Sequence, residues 1–253
     1  MYVYICQDSP EGIFTAIYNI FENKHNLPDT RLLLEWEPLL LAEYIEVEAD
    51  AEKSQKVLRT LFRRFGQEDT HLIFMALASS DPEKAEAVYR TIAYGLAEKV
   101  RPGHLFDHLA DRYVLYAHKL SLNARRECQH FKGFLRFREL KSGGMYALIN
   151  PKNNLLPELM EHFSDRFPSE NFMILDEVRQ QIGIHRSREG WFMTIDPEAF
   201  ERIKATEVSE MQLYYEELFQ KFCKTIAIKE RRNEGLQKNL LPLRYRTHMT
   251  EFM

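Results

Sequence analysis

The strongest constraint in this chain is a ladder of apolar side chains near its end. Met211, Tyr214, Tyr215, Leu218, Phe219, Phe222 and Ile226 recur at i, i+3, i+4 and i+7, which is the spacing of one face of an α-helix. A strand repeats every two residues and a loop has no period, so this stretch predicts a helix.

Upstream the period changes. Phe134–Leu140 and Met145–Ile149 alternate at period two around Lys141-Ser142-Gly143-Gly144, which predicts a β-hairpin. A helix near Leu155–Phe167 follows, then strands at Phe172–Leu175, Ile182–His185 and Trp191–Ile195. Before the hairpin, a long helix is expected from about His104 to His130, with Phe106, Leu109, Ala110, Tyr113, Ala117 and Leu120 as its core stripe. The N-terminal part alternates: strand Tyr2–Cys6, a helix opened by Ser9-Pro10-Glu11, strand Tyr44–Glu48, and a helix from Ala51 stopped by Gly66. Further helices are expected at about Asp69–Ala78 and Pro82–Val100, the second capped by Asp81. The expected fold class is α+β: a small βαβ-like unit plus helices, then a mostly antiparallel sheet packed with long helices.

Composition excludes some classes. With 253 residues, 45% hydrophobic and 28% charged, the chain is neither disordered nor fibrous and can build one large core or two modest ones. The opening Met-Tyr-Val-Tyr-Ile-Cys has no basic and apolar leader, and the longest apolar run, Leu72–Ala78, is far too short to span a bilayer. Three scattered cysteines, without a CxxC pair, fit reduced thiols. A cytoplasmic location without membrane contact is expected. No GxGxxG or GxxxxGK[ST] follows Tyr2–Cys6, so that strand has no nucleotide signature, and no cofactor is expected.

The net charge of −4 hides an asymmetry. Residues 1–123 carry 13 basic and 19 acidic side chains, whereas residues 124–253 carry 21 and 19. Arg125–Lys141 holds six basic and two acidic residues, and Lys221–Arg246 holds eight and two. Such clustering is a hint of an anionic partner. In a strand, Phe134, Arg136 and Arg138 would share a face able to hold phosphates and stack on a base. A solvated sheet face with arginines paired to acids such as Glu139 gives the same pattern. In the second cluster, cations at a helix end also suit the helix dipole. His104, His108 and Asp111, at i, i+4 and i+7 on the expected helix, are the one metal-like grouping; their face lies opposite the Phe106/Tyr113 core stripe, so they read as an exposed polar face and no metal is expected.

Several ordered motifs carry a resemblance. They are Lys132-Gly133-Phe134-Leu135-Arg136-Phe137; Tyr146-Ala147-Leu148-Ile149 with Pro151; Leu156-Pro157; and His162-Phe163 with Arg166-Phe167-Pro168. A closing run follows, Thr225-Ile226-Ala227-Ile228, Glu230-Arg231, Asn233, Leu236-Gln237, Pro242, Arg244-Tyr245 and Thr250-Glu251. Over about residues 85–252 the chain resembles a bacterial family described as probable DNA metabolism proteins. That family is built on a domain of unknown function also found fused to uracil-DNA glycosylase-like domains, and its stand-alone members accompany a radical SAM protein of DNA modification or repair. The chain departs from the pattern at Leu175, where a His commonly precedes the Asp; at Glu234-Gly235, in place of Pro-Arg; and at Arg246, in place of Trp. The resemblance divides the chain into a leader, residues 1–84, and a family domain, residues 85–253, packed as one unit.

The resemblance implies a DNA repair or DNA metabolism accessory that binds nucleic acid beside a radical SAM or glycosylase partner. Arg125, Arg126, Lys132, Arg136 and Arg138 would hold phosphates, with Arg231, Arg232, Lys238 and Arg244 as a second patch. His130, Phe134, Asn233, Gln237 and Tyr245 would contact bases. Two other classes stay open: an enzyme acting on damaged bases or nucleotides, with His130 or Glu230 as acid–base groups, and a protein–protein adaptor without DNA contact.

Overall fold

The computed structural model describes residues 1–252, and the chain divides into two compact units, Met1–Arg125 and Arg126–Met253.

In the first unit, strand β1 (Tyr2–Cys6) is the centre of a parallel three-stranded sheet, flanked by β2 (Thr30–Leu33) and β3 (Glu43–Val47). Parallel neighbours need a crossover, and α1 (Pro10–Glu22) supplies the first. Ser9 caps it through Gly12 N, with Pro10 in the first turn. Strand β2 forms in a stretch for which the sequence pattern predicts no element. Helix α2 (Ala51–Leu77) is broken at Gly66, whose φ of 81° is non-helical, so the stop expected there divides it into two helical stretches. Helix α3 (Lys84–Ala97) follows. Tyr4, Phe14, Ile17, Phe65, Ile73, Tyr89 and Ile92 close one core between the sheet and these helices.

The expected 104–130 helix is shifted along the chain. His104–His108 surround a single 3-10 turn, Leu105–Asp107, and α4 (Arg112–Phe134) begins where Asp111 accepts from the N–H groups of Tyr113 and Val114. Phe106, Ala117 and Leu120 are buried as the stripe predicted. Leu109 and Ala110 precede the helix and are exposed.

The second unit holds a five-stranded sheet, β4 (Arg138–Glu139), β5 (Met145–Ile149), β6 (Phe172–Asp176), β7 (Gln181–Arg186) and β8 (Gly190–Thr194), in that spatial order. Every pair is antiparallel except β5–β6, which the helix α5 (Leu156–Arg166) crosses over. The expected hairpin forms, but its first strand is short, because α4 runs to Phe134. Leu156, Leu159, Met160 and Phe163 of α5 are buried. Gly183 of β7 makes room for them, since a Cβ there would collide with Met160. Helix α6 (Pro197–Lys204), unmarked by any ladder, places Phe200 against Leu140, Tyr146, Leu175 and Ile182. Helix α7 (Glu210–Ile226) and the short α8 (Glu234–Leu240) complete the unit. No described helix is long and apolar enough to cross a membrane.

Candidate functional site

Four of the cations expected to hold phosphates are engaged inside the second unit. Lys132 on α4 pairs with Glu158 on α5 at 3.1 Å. Arg136, in the link between α4 and β4, meets Glu251 at 2.7 Å and also donates to the carbonyls of Gly133 and Leu135. Arg138 reaches Glu216 of α7 through Nε–Oε1 at 2.7 Å and Nη2–Oε2 at 3.2 Å. Arg244 reaches Glu127 at 3.1 Å, and that carboxylate, 2% exposed, also accepts from Lys152 N, Asn153 N and Asn153 Nδ2. Glu127 therefore ties α4, the 150–154 loop and the C-terminal segment together. A carboxylate so withdrawn from water is tolerated only with partners of this kind.

The remaining expected cations differ. Arg125 in the first unit, and Arg126, Arg231 and Lys238 in the second, are exposed and have no ion-pair partner among the described residues. Arg232 pairs with Glu234 at 2.9 Å in full solvent, an arrangement of little energetic weight.

The expected base-contacting residues do not form an open platform. Tyr245 is 5% exposed, with its ring against His130, Phe131 and Phe134, at centroid distances of 5.0, 5.1 and 5.6 Å. Its ring is core and cannot stack on a base, which corrects the sequence expectation. The cause is that α4 extends to Phe134, so Phe134 faces Tyr245 from a helix end and shares no strand face with Arg136 and Arg138. Burial pushes the Tyr245 hydroxyl above its ordinary pKa, although Arg244 beside it pulls the other way. Asn233 caps α8 through Leu236 N, and Gln237 lies exposed on that helix. Of the acid–base candidates, His130 shares a hydrogen bond of 3.1 Å with the Tyr245 hydroxyl, and Glu230 is exposed in a 3-10 turn. No bond joins the two.

The helix that would align the metal-like grouping does not form over these residues. Without a helix over 104–111, the i, i+4, i+7 face does not exist. His104 instead pairs with Asp107 at 2.7 Å, His108 with the Tyr94 hydroxyl at 3.1 Å, and Asp111 caps α4. No three His, Cys, Asp or Glu side chains among the described residues gather as a metal site.

Helix α7 holds the most telling geometry. Its inward stripe is polar. Gln212 Oε1 accepts from Glu139 N, Glu216 takes Arg138, and Gln220 Nε2 donates to Thr250 O. Burial alone would raise the Glu216 carboxyl, but the hydrogen bonds from Arg138 and Gln212 hold it below the ordinary glutamate range. The apolar ladder faces outward. Met211, Tyr214, Tyr215, Leu218, Phe219, Phe222 and Ile226 are each between 41% and 60% exposed. Single exposed apolar residues are ordinary, whereas a contiguous stripe of this length is not.

One further feature escaped the sequence pattern. A cleft of about 370 Å³ beside the β7–β8 hairpin is lined by Gly144, Asn171, Phe172, His185 and Ser187 among others. His185 is buried, stacked on Phe172 at 4.7 Å, with Nδ1 2.8 Å from the carbonyl of Glu170. A carbonyl only accepts, so Nδ1 carries the hydrogen of that bond, which leaves Nε2 as the nitrogen not engaged by it. The apolar residues of β7, Ile182 and Ile184, alternate on the other face from His185, so period two gives no sign that this ring is buried.

A family model described as a domain of unknown function, DUF4130, matches residues 82–251. No curated protein matches the chain.

Proposed function

The chain belongs to the DUF4130 domain family, and we propose that it is an accessory protein of DNA metabolism that docks a partner enzyme through the outward face of α7. The observation that carries this is the inverted helix: its polar stripe is consumed by the sheet and the C-terminal segment, and its apolar ladder is left uncovered. Large aromatic and aliphatic side chains in such a stripe are the anchors that dominate protein–protein binding. The motif resemblance supplies the biological setting and the partner class, a radical SAM protein or a glycosylase-like domain. Co-purification of the chain with that radical SAM protein after nuclease digestion tests the reading. Recovery of the complex without nucleic acid is expected, and loss of the complex on digestion would overturn it.

A second reading, direct contact with nucleic acid, is supported by Arg126, Arg231 and Lys238, which are exposed and have no ion-pair partner among the described residues. It predicts affinity that falls steeply with salt, with a slope reduced by about one for each cation replaced. Binding indifferent to salt, or unchanged in the combined Arg126→Ala and Arg231→Ala variant, would count against it.

A further inference from the structure

We infer that the unit Met1–Arg125 carries a binding cleft for a phosphoryl group. The cleft, of about 370 Å³, lies among β2, the start of α3 and the first two turns of α4, with Arg31, Arg112 and Lys119 in its wall.

Arg31 is the anomalous residue. Its side chain is 33% exposed, yet its Nε is buried without a hydrogen-bond acceptor. The nearest carboxylates, Glu86 at 3.8 Å from Nε and Glu83 at 3.9 Å from Nη2, are beyond hydrogen-bond range. Glu86 is already committed, because Oε1 takes Arg90 Nε at 2.7 Å and Oε2 takes Leu32 N at 2.8 Å. A buried guanidinium N–H without an acceptor among the described residues is costly. Nε itself is out of a ligand's reach, and it is the exposed remainder of this under-satisfied guanidinium that an anion in the cleft would meet.

The other two cations converge on the same space. Arg112 and Lys119 stand seven residues apart on α4 and so share a face. Arg112 spends one nitrogen on the Tyr113 hydroxyl at 2.6 Å. Lys119 is exposed and has no ion-pair partner among the described residues. Two carboxylates, Glu83 and Glu86, also line the cleft. Glu86 is committed as described, and Glu83 is 57% exposed and only loosely placed against Arg31, so the three cations outnumber the acids of the wall.

The chemistry of the wall selects the ligand. Guanidiniums of Arg90 and Arg112 already lie over the Tyr113 ring, at 5.6 and 4.4 Å, so that ring is taken and a base has no platform on it. Three separate cations exceed what a lone carboxylate can engage. A tetrahedral phosphoryl group, with several strong acceptor oxygens, matches them. Such a group can arrive as a free phosphate ester or as the 5′-phosphate end of a nucleic acid.

Calorimetric titration of the full chain with inorganic phosphate, with a 5′-mononucleotide, and with a single-stranded oligonucleotide bearing or lacking a 5′-phosphate tests the assignment. Phosphate is expected to bind, with affinity reduced at least about tenfold in Arg31→Gln and also in Lys119→Gln. Lys119 is at the surface, so its variant keeps the fold while removing one cation. Preference for the phosphorylated oligonucleotide would identify a strand end as the source, and tighter binding of the mononucleotide a free ester. Absence of phosphate binding, or binding that both variants leave unchanged, would overturn the proposal. The cleft does not depend on α7, so failure of partner docking leaves this outcome untouched.

Discussion

Arg138 and Glu216 meet in a two-pronged contact, Nε to Oε1 at 2.7 Å and Nη2 to Oε2 at 3.2 Å, across 78 residues of chain. That pairing turns the polar stripe of α7 toward the sheet and leaves its aromatic ladder outside. Removing either partner leaves the other charge half-buried and unpaired, at a cost of about 1–3 kcal/mol. Urea unfolding of Arg138→Ala, Glu216→Ala and the double variant should therefore show a coupling energy on the order of 1 kcal/mol. Additive losses would mean that the contact does not orient the helix.

The ladder itself should be dispensable for folding. Replacing Tyr215 or Phe222 with Ser removes an exposed side chain, so thermal melts should change by no more than about 0.5 kcal/mol. The same substitutions should weaken partner capture strongly. Were Phe222 a core residue, its replacement would instead cost about 3–5 kcal/mol.

Acid should loosen this arrangement before it unfolds the core. Burial raises the carboxyls of Glu216 and Glu177, but Arg138 with Gln212, and Lys204 with His248, outweigh it and hold both below the ordinary value of 4.5. A carboxyl depressed in the folded state contributes stability above its unfolded pKa and loses it as pH falls through the folded value. The gap in melting temperature between the native chain and Glu216→Gln should thus be fully open near about pH 7 and close toward about pH 3. A gap that widens on acidification would contradict the assignment.

The thiols should divide by burial. Cys6 is pushed up to about 12, by burial first and then by Asp8, and Cys128 up to about 11, chiefly by burial. Cys223 on α7 is only half-buried. A thiol reagent applied to the folded chain should modify Cys223 well before the other two, because the thiolate is the reactive form. Equal labelling of all three would mean that the cores open readily.

Much of this fold is legible in the sequence, and the limits have definite causes. The apolar period locates α7, yet Gln212, Glu216 and Gln220 repeat just as regularly, and periodicity alone does not say which stripe meets the sheet. Phe134, Arg136 and Arg138 alternate like a strand, but α4 continues to Phe134, where Tyr245 packs on it from far along the chain. The arginines of that segment look like phosphate ligands because their acids, Glu216 and Glu251, lie 78 and 115 residues away. His104, His108 and Asp111 look like a metal face only if a helix runs through them, and a 3-10 turn replaces it. The phosphoryl cleft left no motif, since Arg31 and Lys119 come together only when β2 and α4 fold into one unit.

Hydroxyl-radical footprinting of the chain, alone and mixed with the radical SAM protein proposed as its partner, tests the central claim most directly. Met211, Tyr214, Tyr215 and Phe222 should be modified heavily in the free chain and protected in the mixture. Equal modification of these four residues with and without the partner would contradict it.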